Sequence, residues 1–115
     1  MPLRRRDKIV LEKIISEIDV GLSIMNGYSK KEFLANEVVK RAIAMTAINI
    51  GELVKTITME LRAQYPEIPW RPIAGLRDLA AHKYATLRME DIYNTVTMDF
   101  PKLKEDIMHI LQSHA

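Results

Sequence analysis

Cysteine is absent from this chain of 115 residues, which excludes disulfides and thiolate-bound metal centres. That absence permits a reducing, intracellular setting without requiring one. Long apolar runs are also missing. None approaches the roughly 20 residues that a membrane-spanning helix needs, so no membrane partner is expected. No Gly/Ser linker, internal repeat or low-complexity stretch divides the sequence, and residues 1–115 read as one domain. Strand-like alternation is absent as well. Charge of one sign is scarce: Lys and Arg number 17 against 15 Asp and Glu, a formal net charge of only +2. A protein that coats nucleic acid by charge alone is more lopsided than this, so any such contact should be local, at a cleft.

What is present is a globular composition, 48% hydrophobic and 28% charged. The basic start, Met1-Pro2-Leu3-Arg4-Arg5-Arg6-Asp7, runs into an amphipathic pattern rather than a signal-peptide apolar core, and the expected address is cytoplasmic. Arg4, Arg5 and Arg6 form the one basic cluster and read as a solvated segment rather than a phosphate-binding arm.

Helical periodicity runs through most of the chain. Ile9, Leu11, Ile14, Ile15, Ile18, Leu22 and Met25 recur at three- and four-residue steps, and Asn26-Gly27-Tyr28 stops that stripe. Ser29 and Glu32 match a capping box. A long helix is predicted from Asn36 to about Ala63, apolar over more than half its circumference and so either central or part of an oligomer seam. Gly51 within it is either a point of close helix approach or a tolerated flaw costing about 1 kcal/mol.

The three prolines between Pro66 and Pro72 must break that helix. A short helix is predicted over Ile73–His82. A last one starts near Met89-Glu90-Asp91, with Pro101 kinking or dividing it. The class is all-α, an up-down bundle of four to five helices. The seven methionines occupy apolar positions and read as core filler, and Trp70 as a packing lid.

The chemistry lies in Arg77-Asp78-Leu79-Ala80-Ala81-His82-Lys83-Tyr84. Histidine titrates near neutrality and can move a proton. Arginine stays charged and holds phosphate oxygens with a planar fork. Residues five apart on a helix sit about 140° apart around its axis. Arg77 and His82 therefore converge only if the helix ends near His82 or Lys83, or if two chains line one cleft. A bland reading competes: a histidine near a helix end caps carbonyls, and an arginine pairs with Glu52, Glu90 or Asp91. Glu52, within the apolar helix, either holds Arg77 in place or points to solvent. His109 and His114 have the wrong spacing to share one helix face, and no metal site is expected.

The stretch Tyr65-Pro66-Glu67-Ile68-Pro69-Trp70-Arg71, then Ile73-Ala74-Gly75-Leu76-Arg77-Asp78 and His82-Lys83-Tyr84, resembles the HepT-like branch of the HEPN superfamily. The resemblance extends to Asn49-Ile50-Gly51-Glu52 and to Asp99-Phe100-Pro101-Lys102-Leu103, covering nearly the whole chain. It implies a HEPN-like helical homodimer acting as a metal-independent endoribonuclease on an RNA substrate, with no cofactor. Arg77 and His82 match the catalytic pair. Asp78 takes the polar position after the arginine, and Lys83 stands where the family often has glycine. The resemblance further implies a toxin of a type II/VII-like toxin–antitoxin system, neutralised by a minimal nucleotidyltransferase antitoxin that adds AMP to Tyr84. A different reading of the same residues is a non-catalytic binding module for a nucleotide or a nucleotidyltransferase partner, favoured by the carboxylate of Asp78.

Overall fold

A computed structural model describes residues 3–78 and 88–114. Helix α1 (Arg5–Met25) turns its apolar stripe inward, so that Leu11, Ile14 and Ile18 are completely buried. It stops where the sequence predicts. Gly27 takes a φ of 86°, open to glycine at little cost, and the Tyr28 amide donates to the Met25 carbonyl. The capping box then starts α2 (Lys30–Ala35): the Glu32 amide donates to Ser29 Oγ and the Ser29 amide to Glu32 Oε1, both at 3.1 Å.

Helix α3 (Glu37–Lys55) opens at Asn36, whose Oδ1 accepts from the Val39 amide at 3.0 Å. It does not continue to Ala63 as its periodicity predicts. The chain leaves helical geometry at Thr56–Thr58 and begins again as α4 (Met59–Gln64). Two interactions over long sequence distances favour the break. Thr58 caps α4 by accepting from the Leu61 amide, while its own amide and hydroxyl donate to the buried carboxylate of Asp7 at 3.1 and 2.6 Å. Arg62 Nη2 reaches back to the Val54 and Lys55 carbonyls that the break leaves open.

The proline segment turns the chain and drives Ile68 and Trp70 into the core. Trp70 Nε1 donates to the Tyr65 carbonyl at 2.9 Å, so the residue is a core member rather than a lid. Helix α5 (Trp70–Ala74) begins earlier than predicted. Pro72 lies in its first turn, where a missing amide donor costs nothing. It tightens into a 3₁₀ turn over Gly75–Asp78, and the predicted continuation to His82 falls outside the described residues.

Helix α6 (Met89–Asn94), a π-helical turn (Thr95–Asp99) and α7 (Phe100–Ser113) complete the chain. The stretch is divided near Pro101, as its position predicts, and the proline stands in the first turn of α7. The wide turn before it, in which the Phe100 amide bonds Thr95 five residues back, absorbs the missing donor as a change of winding.

Helix α1 runs antiparallel to α3, since Asp7 meets Thr58 and Glu17 meets Asn49. It is antiparallel to α7 as well, because Asp19 meets Lys104 while Leu3 and His114 line one groove. Their buried faces merge into one core with Phe33, Trp70 and Ile92. The described residues contain no strand, and none of their helices is long and apolar enough to cross a membrane. The methionines depart from expectation. Met25 is buried, but Met45, Met59, Met98 and Met108 are exposed, as an unbranched side chain of good helix propensity allows.

Candidate functional site

The site is built from a helix surface and a turn pressed against it. Gly51 is buried on α3, and the turn that carries Arg77 lies directly over it. A Cβ at position 51 would stand 2.5 Å from the Arg77 backbone nitrogen and 3.1 Å from both the Ile73 oxygen and the Leu76 carbonyl carbon. All three are backbone atoms with no rotamer to yield. Of the two readings open for Gly51, the structure selects close approach.

One residue further along α3, Glu52 lies at the solvent edge. Its Oε1 is 3.8 Å from Arg77 Nε, and Asp78 Oδ1 is 3.6 Å from the same nitrogen. Both separations are longer than a hydrogen bond, so these are loose ion pairs. The Glu52 side chain is 57% exposed and that of Arg77 34% exposed, and such pairs contribute about 0–1 kcal/mol. Arg77 is thus held chiefly through its backbone, while its guanidinium is tempered by two carboxylates. The other acids that could have paired with it are engaged elsewhere: Glu90 faces Lys30 and Asp91 faces Arg88.

Beside this edge an open groove of about 430 Å³ runs between α1 and α3. Lys13, Ser16 and Glu17 form one bank, Asn49, Glu52 and Leu53 the other, and Asn49 Nδ2 donates to Glu17 Oε1 across it at 2.7 Å. Sequence reasoning overlooked this bridge. A signal was available in Asn49, a polar residue two positions before Gly51 and flanked by Ile48 and Ile50.

Of the sequence-predicted site residues, Arg77, Asp78 and Glu52 come together. His82, Lys83 and Tyr84 lie outside the described residues. His114 is drawn into a contact of 3.1 Å between its Nε2 and the Tyr65 hydroxyl, and the described residues contain no group of three or more His, Asp and Glu placed to hold a metal ion.

A second cavity, of about 360 Å³, lies behind the turn. Pro69, Pro72 and Leu76 form its apolar wall, and Asp99, Lys102 and Asp106 its polar one. The Lys102 ammonium sits 2.8 Å from Asp106 Oδ1, and that hydrogen bond together with the carboxylate's charge raises its pKa above the ordinary lysine value.

A family model described as "Ribonuclease HepT-like" matches residues 11–110 of the chain. Among curated proteins, the chain is 32% identical to "Putative RNase TTE0752" of Caldanaerobacter subterraneus subsp. tengcongensis, over 89% of this chain and 91% of that protein. It is 30% identical to "Probable ribonuclease HepT" of Thermococcus cleftensis, over 89% and 93% respectively. It is also 29% identical to "Putative RNase MJ0125" of Methanocaldococcus jannaschii, over 95% and 94%. No solved structure matches the chain.

Proposed function

The chain belongs to the HepT-like ribonuclease family, and from that premise we propose that it is a metal-independent endoribonuclease working at a cleft that contains Arg77 and His82. The ribonuclease names of its relatives support the reaction class. The observation that carries the assignment to this site is the seat of Arg77. Its backbone packs on Gly51, so a permanent cation stands at the solvent edge of α3 five residues before a histidine.

In this mechanism His82 accepts the proton of a ribose 2′-hydroxyl. That oxygen attacks phosphorus, the P–O5′ bond breaks, and the leaving oxygen takes up a proton. The products are a 2′,3′-cyclic phosphate and a free 5′-hydroxyl. Proton transfer of this kind contributes roughly 10² to 10⁴ in rate. Arg77 stabilises the phosphorane as charge builds on its oxygens. Glu52 limits the swing of the guanidinium, and Lys83 offsets the carboxylate of Asp78. In a homodimer, a second His82 across the two-fold axis supplies the acid for the base. The chain acts as a toxin, and a minimal nucleotidyltransferase antitoxin silences it by transferring AMP to Tyr84, a bulky anion that blocks RNA and competes for Arg77.

The test incubates purified wild-type, Arg77→Ala and His82→Ala proteins with total RNA in EDTA. Cleavage by wild type alone, with cyclic phosphate ends, is expected. Equal cleavage by all three proteins would refute the assignment. A second reading, a non-catalytic module that binds a nucleotide or a nucleotidyltransferase, draws on the two carboxylates within 4.0 Å of Arg77, which weaken its pull on RNA. Growth arrest on expression without a partner, abolished by His82→Ala, separates the two in favour of catalysis.

A further inference from the structure

Arg77 alone is a weak collector of RNA, because Glu52 and Asp78 stand 3.8 and 3.6 Å from its Nε. Cations free of such neighbours gather at the start of α1. Arg4 is engaged by Glu60 at 3.2 Å, but Arg5 and Lys8 have no ion pair among the described residues. These two face an open groove of about 730 Å³ between the first turns of α1 and the last turn of α7. His114 also lines it, with its Nε2 3.1 Å from the Tyr65 hydroxyl. Leu3, Ile9 and Leu111 give it an apolar floor. Among the described residues Glu12 is the one acid in the lining, against the two fixed cations Arg5 and Lys8.

This groove and the one beside Arg77 flank the same stretch of α1. Glu12 lines the first and Lys13 the second, whose opposite bank holds Glu52. Lys8 and Lys13 are five residues apart, about 7.5 Å along the helix axis. A flexible polyanion lying in the first groove therefore crosses α1 within about one and a half turns and arrives at the Arg77 edge.

We propose that the α1/α7 groove is an RNA-collecting site. Arg5 and Lys8 hold successive phosphates of a single strand, the apolar floor receives a base, and the strand passes over α1 to Arg77. This departs from the reading of the N-terminal cluster as merely solvated, and it rests on the ribonuclease assignment. Charge complementarity selects the occupant. A basic wall with an apolar floor matches a single strand, which offers phosphates on one side and bases on the other.

The experiment measures binding of a fluorescent single-stranded RNA of roughly twenty nucleotides by anisotropy, in EDTA and across a salt series. All proteins carry His82→Ala to prevent turnover. They are the parent, Arg5→Ala/Lys8→Ala, and a control, Lys31→Ala/Arg71→Ala, which removes two exposed cations outside the groove. Cleavage by the same pairs is measured with His82 restored. Loss of two phosphate contacts should weaken binding about tenfold at low salt and flatten the slope of log K against log salt by about 1.4, from 0.7 per contact on a single strand. The control should change neither, and thermal midpoints should be equal because all four side chains are exposed or half-exposed.

Wild-type cleavage with the Arg5/Lys8 variant unaltered in both affinity and KM would overturn the collecting site and leave the ribonuclease reading standing. Absence of cleavage with selective loss of binding in that variant would do the reverse. No measurable RNA binding by the parent, or equal losses in variant and control, would also overturn the proposal.

Discussion

Replacing Gly51 by alanine sets two opposing effects against each other. At a mid-helix position in open space, the change would stabilise α3 by about 1 kcal/mol through propensity alone. At Gly51 the new Cβ would meet the Arg77 nitrogen at 2.5 Å, whereas ordinary contact begins at 3.4 Å. The 3₁₀ turn must retreat by about 0.9 Å, the difference of those distances, against two further backbone atoms at 3.1 Å. Overpacking of a filled site costs about 1–3 kcal/mol, and rigid backbone on all sides places this case in the upper half. The expected net loss is about 1–2 kcal/mol, a fall in Tm of about 4–8 °C for a chain of this size. The retreat also displaces Arg77, so RNA cleavage should fall more steeply than stability. Urea or thermal unfolding measures the first effect and initial cleavage rate the second. A Gly51→Ala protein more stable than wild type would refute the close-approach argument, and with it the account of how Arg77 is positioned.

Asp7→Ala should destabilise the fold by about 2–3 kcal/mol in urea unfolding, because it leaves the Thr58 amide and hydroxyl without their buried charged partner; a loss below about 0.5 kcal/mol would show that the bridge between α1 and α4 is dispensable. Glu32 has its pKa lowered by hydrogen bonds from the Ser29 backbone and side chain. Its contribution is therefore complete above the carboxyl's unfolded pKa and lost as pH falls through the lower, folded one. Glu32→Gln should flatten the acid side of the stability profile measured between about pH 6 and about pH 3, and an unchanged slope would sink that assignment. Asp78→Asn removes a carboxylate 3.6 Å from Arg77 Nε. At about 1 kcal/mol in a water-like dielectric, RNA affinity in EDTA should tighten by up to about fivefold, and weakened binding would mean that Asp78 orients the arginine rather than opposing it.

The parts of the fold that were readable from sequence share a local cause. The α1 stripe, the Gly27 stop and the Ser29–Glu32 box each depend on residues within one or two turns, so periodicity and capping rules find them. The α3–α4 break escaped notice because its partners are remote: Asp7 lies 51 residues before Thr58, and nothing in the local pattern of Ile57-Thr58-Met59 reveals that a buried carboxylate waits there. The early start of α5 was hidden by proline density. Three prolines read as a breaker, yet Pro72 is harmless in a first turn and Trp70 supplies the burial that fixes the helix in place. At Arg77 the motif named the residue but left three acids as possible partners. Only the packing over Gly51 decides for Glu52, because it fixes which turn of α3 lies beneath the arginine.

That packing also joins stability to activity in a way that differs from one end of the bundle to the other. Helix α3 presents one face to the core through Ile43, Ala47, Ile50 and Val54, and on the turn between Ile50 and Val54 it carries both Gly51 and Glu52. A change there alters the core wall and the arginine seat together. At the far end of the π turn, Phe100 is just as buried, with its ring beside Gly21 of α1, and Phe100→Ala should cost about 3–5 kcal/mol of stability. Because that loss is global, the folded fraction of a Phe100→Ala protein should cleave RNA at the wild-type rate per molecule once temperature or an osmolyte restores folding. A Gly51→Ala protein restored to the same folded fraction should remain impaired, since its defect lies in the native state itself. If both variants recover fully, Arg77 does not depend on its glycine seat, and the positioning of the site must be sought in the residues beyond Asp78.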